Sequence, residues 1–246
     1  MLSTKKRKIK AFAFDLGNTL INDTHLAKDA TVDMCEWLFD NSLIQSKQAF
    51  VATFVRINHN TKKPFISHTF GELDFFEKTF NELTINAISA EAALKKYREI
   101  LMNKILPDKD IVDTFQLLRE KNIRIALLSN ESVIRVDSYL EKTNLRHFFD
   151  TIIVSESIGI EKPDLRFFQE ALNRLNIKGD EMVMFGDNKI ADGASKKLDV
   201  FFVLVTGYMT KDWIWEEGNP YPPDYIMEKI TKKDLQAFLN TVPLNR

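Results

Sequence analysis

The sequence predicts an open, doubly wound α/β sheet with a helical insertion behind its first strand, and three observations predict it. Several short runs, Ala11–Phe14, Ile125–Leu128, Met182–Phe185 and Val200–Val205, are apolar at every position and read as strands buried on both faces. From Pro107 onward such runs alternate with segments of helical spacing, and parallel strands need crossovers of that kind. Residues able to do chemistry stand just past several of the runs: Asp15, Ser129 with Asn130, and Asp187. In open parallel sheets, ligands bind beyond the carboxyl ends of the strands.

Taken in order, the first strand begins near Ile9 and ends at Asp15, where Gly17 and Asn18 force a sharp break. From about Thr24 to Leu106 the spacing is helical almost throughout. One apolar face is Val32, Cys35, Trp37, Leu38 and Phe39, and another is Phe50, Phe54, Val55 and Ile57. A third is Phe75, Phe76 and Phe80, and a fourth Ala92, Ala93, Tyr97, Ile100 and Leu101. The polar stretch His59–Pro64 interrupts this insertion. Next come a helix carrying Ile111, Phe115 and Leu118, the strand to Ser129, a helix over Val133–Leu140 and a short strand over Ile152–Val154. Pro163 is suited to open a helix, since its missing N–H would be unpaired there anyway. The strand before Asp187 leads to a helix from about Ile190 to Leu198, then to the strand Val200–Val205. Thr206–Pro223 is rich in aromatics (Tyr208, Trp213, Trp215, Tyr221) and reads as a loop over an edge of the core or at the rim of a site. A last strand, Asp224–Met227, and a last helix, Lys233–Leu239, close the chain.

Composition narrows the partners. Lys and Arg total 34 against 35 Asp and Glu, a formal net charge of −1, so no global field draws the protein to nucleic acid or an anionic membrane. No apolar stretch reaches the ~20 residues that span a bilayer. Cys35 is the only cysteine, which rules out an internal disulfide and points to a reducing cytoplasm. His25, His59, His68 and His147 form no pair at metal-ligand spacing, so a zinc site is not expected.

Each strand-end residue alone has a structural explanation, but together they define a chemistry. A carboxylate at a strand end can serve as nucleophile, metal ligand or base; a hydroxyl donor, a lysine and two further acids, Asp187 and Asp192, accompany it. The ordered set Asp15–Leu20, Leu128–Asn130, Lys162–Pro163 and Gly186–Asp192 resembles the four motifs of the haloacid dehalogenase (HAD) superfamily, a group composed largely of Mg²⁺-dependent phosphatases. The resemblance implies a Rossmann-like core over residues 1–22 and 107–246 and a helical cap over 23–106, which closes over the nucleophile and selects the substrate. It implies that Asp15 takes the phosphoryl group and that Ser129, Asn130 and Lys162 hold its oxygens. Asp15, the Gly17 carbonyl and Asp187 would bind Mg²⁺, and Asp192 would touch the metal through water or orient Lys162. The expected substrate is a small phosphorylated metabolite. The resemblance sets no oligomeric state.

Those residue types suit the reaction. A carboxylate can form an acyl phosphate and split one hard step into two. A hard cation offsets the repulsion between nucleophile and phosphate, while a lysine and hydrogen-bond donors stabilise the transferring oxygens.

The chain departs from the family pattern at Gly17, where phosphatases of the family usually carry a second aspartate that serves as acid and base. Losing general acid–base help typically costs ~10²–10⁴ in rate, roughly 3–5 kcal/mol of barrier. The departure implies a handicapped or substrate-restricted phosphatase with a long-lived phosphoenzyme, or a substitute acid: His59, His68, Glu131 or Asp23. It also leaves open a 2-haloacid dehalogenase, a phosphonate hydrolase using a cap lysine (Lys28, Lys47, Lys62 or Lys63), and a non-catalytic binding protein of the same fold. Arg166 reads as a surface or structural residue.

Overall fold

The computed structural model describes residues 8–61, 71–209 and 221–241. The chain divides into two compact units, Met1–Asp23 with Pro107–Arg246, and Thr24–Leu106.

The first unit is built on a six-stranded parallel sheet. In chain order its strands are β1 (Ala11–Phe14), β2 (Arg124–Ser129), β3 (Thr151–Val154), β4 (Met182–Gly186), β5 (Phe201–Val205) and β6 (Tyr225–Met227). Their order across the sheet is β3-β2-β1-β4-β5-β6. β1 therefore lies between β2 and β4, where the winding reverses direction, the place at which an open parallel sheet leaves a crevice.

Strand alternation sorts the core into two layers. Ala11 and Ala13, with Met182, Met184, Phe202 and Leu204, face Phe167, Phe168, Ala171, Leu172 and Leu175 of α8 (Leu165–Leu175). Phe12 and Phe14 point the other way into an aromatic cluster. It contains Phe185, Phe115 from α5 (Lys109–Glu120) and Phe238 from α9 (Lys232–Thr241), with ring centroids 4.9–6.5 Å apart. The small residues of β1 accept the bulky α8 face, and its phenylalanines fill the opposite one. Between β2 and β4 lie α6 (Val133–Thr143), the single turn α7 (Ser155–Ile158) and α8.

Two local expectations change. The segment after β4 is a 3₁₀ helix, Gly193–Leu198, rather than a helix from Ile190. The Asn188 side chain caps the turn before it, accepting from the N–H groups of Ile190 and Ala191, and the Ser195 and Asp199 N–H groups then bond three residues back, to Asp192 and Lys196, which is the tighter 3₁₀ spacing. Pro163 does not open α8; Asp164 caps it, accepting from the Arg166 N–H, and Pro163 stands one residue outside, after a cis peptide bond. Of the aromatic tail stretch, Tyr221 packs on the α8-side core, while Trp213 and Trp215 lie outside the described residues.

The elements of the second unit, among its described residues, are helices: α1 (Asp23–Asp40, its first residue in the other unit), α2 (Lys47–Thr61), α3 (Gly71–Leu83) and α4 (Ala90–Asn103). Its core joins Met34, Cys35 and Leu38 to Phe50, Phe54, Phe76, Phe80, Tyr97 and Leu101. Four residues expected on the apolar faces are instead exposed: Val32, Phe39 and Val55, at 47%, 42% and 53%, and Ala92. The buried stripe of α1 runs through Ala30, Thr31, Met34, Cys35 and Leu38, and its helical period carries Val32 and Phe39 off that stripe. The polar stretch expected to interrupt the insertion is helical at its start, since α2 continues through Thr61; residues 62–64 lie outside the described residues. His68, Lys62 and Lys63 lie outside the described residues.

Candidate active site

The strand register assembles the site. Phe14 pairs with Leu127 on one side and Phe185 on the other, and the Asp15 N–H still donates to the Phe185 carbonyl at 2.9 Å. Asp15, Ser129 and Asp187 therefore leave three adjacent strands at nearly one level. The break after Asp15 is made by Asn18, which takes the left-handed conformation with φ 51°; Gly17 does not. Asparagine tolerates that region better than most residues.

Lys162 is the hub. Its Nζ donates to Asp15 Oδ1 at 2.7 Å, Asp192 Oδ1 at 2.6 Å and the Leu128 carbonyl at 2.8 Å. Those bonds use all three ammonium hydrogens. The lysine is only 2% exposed, so this pairing is what permits its burial. Its backbone is fixed as well. Asn130 Oδ1 accepts from the Lys162 N–H and Asn130 Nδ2 donates to the Lys162 carbonyl, both at 2.8 Å. The Asn130 side chain, expected at the phosphate, thus holds the Lys162 backbone beside it.

Asp192 is held from both ends, Oδ1 by Lys162 and Oδ2 by the Asn188 N–H at 3.0 Å. Gly186 is needed for this approach, since a β-carbon there would collide with the Oδ2 and Cγ atoms of Asp192. Of the two roles the sequence left for Asp192, the bond to Lys162 is the one the geometry contains.

The charges do not balance. Asp15, Asp187 and Asp192 offer carboxylate oxygens within 4.8 Å of one another against one buried ammonium. Burial pushes the Asp15 carboxyl up to about 6; Lys162 opposes this and the Asp192 charge adds to it. Asp187 is pushed well above the usual carboxylate range, first by burial and then by Asp15 and Asp192. Burial alone would lower Lys162, but the two carboxylates beside it outweigh that and raise it. Excess negative charge on hard oxygen donors is the donor set that suits a hard divalent cation. Ser129 Oγ is fully buried and without a hydrogen-bond partner, a cost that a bound acceptor would remove.

Around this centre, Arg135 of α6 was not singled out by sequence. Its guanidinium pairs with Asp23 and, at 3.3 Å, with Glu131. The i, i+4 spacing of Glu131 and Arg135 is a legible helical signal; the link to Asp23, 112 residues away, is not. Arg166 is exposed and paired with Asp164. His25 pairs with Asp29 on α1 and His147 lies against Phe148.

The class this defines is an α/β protein whose open parallel sheet carries three carboxylates and a buried lysine at its switch point. Residues 9–194 match the family model for haloacid dehalogenase-like hydrolases, and the chain belongs to that family. It is 27% identical over 186 residues to the glyceraldehyde 3-phosphate phosphatase of Methanothermobacter thermautotrophicus, covering 73% of this chain and 77% of that one. It is 26% identical over 244 residues to the pyrophosphatase PpaX of Listeria welshimeri, covering 94% and 97%. Among solved structures, the magnesium-bound HAD-hydrolase YfnB of Bacillus subtilis superposes with a TM-score of 0.70 at 19% identity, over 95% of this chain and all of that one. The defluorinating L-2-haloacid dehalogenase Rha0230 gives 0.70 at 15% identity, over 95% and 96%. At those identities the structural likeness speaks for the fold alone. No described helix is long and apolar enough to cross a membrane.

Proposed function

We propose that the protein is a Mg²⁺-dependent phosphatase that hydrolyses a small phosphate monoester through phosphorylation of Asp15. The observation that carries this reading is the buried Lys162 ammonium bonded to both Asp15 and Asp192, with Asp187 in the same carboxylate cluster. Relatives over most of the chain are named as a phosphatase of a small monoester and as a pyrophosphatase, which supports hydrolysis at phosphorus.

Asp15, Asp187 and the Gly17 carbonyl would hold the metal, which when bound offsets the negative charge of the site and of the phosphate. Asp15 attacks phosphorus while Lys162 and the Ser129 hydroxyl take the transferring oxygens. Asp192 holds Lys162 from the far side, so the ammonium stays in place as charge moves. Residues 1–23 with 107–246 then act as the catalytic core, and the helical unit 24–106 as the cap that selects the substrate. Because position 17 carries no acid, aryl and acyl phosphates should be better substrates than alkyl ones.

The test is phosphate release with Mg²⁺ and with a chelator, wild type against Asp15→Asn, over aryl phosphates, sugar phosphates and pyrophosphate. Release should vanish in the variant and in the chelator. Release that survives Asp15→Asn, or metal-independent halide release from 2-haloacids, would sink the reading.

A further inference from the structure

An acyl-phosphate mechanism needs a base for its second step, when water attacks the phosphorylated aspartate. The carboxylates in the central cluster are committed: Asp15 would be the phosphorylated group, Asp192 is bonded to Lys162 and Asn188, and Asp187 belongs to the metal set. The described residues contain another carboxylate close by. A β-carbon built on Gly17 points at Asp23, with Asp23 Cβ at 3.6 Å, Oδ2 at 3.7 Å and Cγ at 3.9 Å. The carboxyl of Asp23 thus lies beside the space that a side chain at position 17 would occupy. These are ordinary van der Waals separations, so a β-carbon at position 17 would fit without moving Asp23, and Gly17 has no positive φ that would require glycine. Neither crowding nor backbone strain accounts for glycine here.

We propose that Asp23, delivered from the first residue of α1, is the general base for hydrolysis of the Asp15 phosphoenzyme, taking over the place that Gly17 leaves without a carboxylate. The proposal rests on the phosphatase reading above. Arg135 fixes the group from one side, pairing with Asp23 Oδ1, and Glu131 in turn holds Arg135. Asp23 Oδ2 is the oxygen turned toward Gly17. In the step it serves, the water oxygen bonds to phosphorus as the bond from phosphorus to the Asp15 oxygen breaks. The water proton passes to the Asp23 carboxylate, Asp15 returns as a carboxylate and inorganic phosphate leaves. The first step keeps no such help, so sensitivity to the leaving group remains while the phosphoenzyme does not accumulate. This replaces the long-lived phosphoenzyme expected from Gly17 alone.

The test uses the full chain with Mg²⁺ and para-nitrophenyl phosphate, reading the first-turnover burst of nitrophenol and the steady-state rate. Wild type should show no burst. Asp23→Asn, an isosteric change, should release one nitrophenol per enzyme at the wild-type rate and then turn over about 10²-fold more slowly or worse. Gly17→Asp combined with Asp23→Asn should recover much of the steady rate, an outcome that also shows the variants fold. An Asp23→Asn enzyme with both phases unchanged, or both slowed equally without recovery by Gly17→Asp, overturns the proposal. Asp15→Asn in the same assay separates the two claims: if it keeps turning over, the phosphatase reading itself has failed.

Discussion

Lys162 has three hydrogens and three acceptors, and this match makes it both a structural and a chemical residue. Removing it would strand Asp15 and Asp192, the second of which is fully buried, with their mutual repulsion uncompensated. Breaking a buried pair by deleting one partner typically costs ~3–5 kcal/mol, because the charge left behind has nowhere to go. Lys162→Met should therefore abolish phosphate release and lower stability in urea by about that amount without Mg²⁺. Full retention of stability would mean that the carboxylates are solvated and that the buried network is not what holds them. Gly17 is the opposite case. Neither its φ nor the room for a β-carbon demands glycine, and the carboxylate beside it belongs to Asp23.

At the scale of elements, the site is a set of strand ends tied together by side chains from other elements. Asn130, just past β2, closes two hydrogen bonds on the backbone of Lys162, which precedes α8, so two loops are joined 32 residues apart in sequence. Each such bond contributes ~0.5–1.5 kcal/mol, and an unsatisfied buried group costs ~1–3. Asn130→Ala should lower stability by about 2 kcal/mol and cut kcat more than KM, because Lys162 would lose its fixed approach to Asp15. Asn130→Asp keeps the acceptor for the Lys162 N–H but loses the donor to its carbonyl, and should fall between. A change confined to KM would instead place the Asn130 side chain on the substrate. The turn after β4 follows the same logic: the Asn188 side chain takes up the N–H groups of Ile190 and Ala191, and the Asn188 N–H in turn holds Asp192.

At the scale of the molecule, the buried carboxylates couple folding to pH and to metal. With no metal bound, the Asp15 carboxyl sits at about 6 in the folded chain against an ordinary 3.8, and Asp187 is displaced in the same direction. The folded state thus keeps protons that the unfolded state has released. That contribution is fully present below the ordinary value of 3.8 and is lost as pH rises through about 6. The Tm of chelated protein should fall across this window, apart from other groups, and Mg²⁺ should raise Tm far more above the window than below it. Equal Mg²⁺ shifts on both sides would show that the metal does not bind these carboxylates.

Much of this is legible in the chain itself. Apolar runs such as Ala11–Phe14 and Met182–Phe185 have no polar face, so only a strand covered on both sides can hold them, and the parallel sheet follows. The residues just past those runs must emerge at one edge, which is why the sequence by itself groups Asp15, Ser129 and Asp187 into one site. What only the tertiary structure decided concerns partners distant in sequence: Lys162 between Asp15 and Asp192, Asn130 committed to a backbone, and Asp23 held by Arg135 against the empty face of Gly17. Burial and hydrophobic period are properties of a local pattern. The choice among acids of equal chemical type is set by distance and direction in space, which no local pattern encodes.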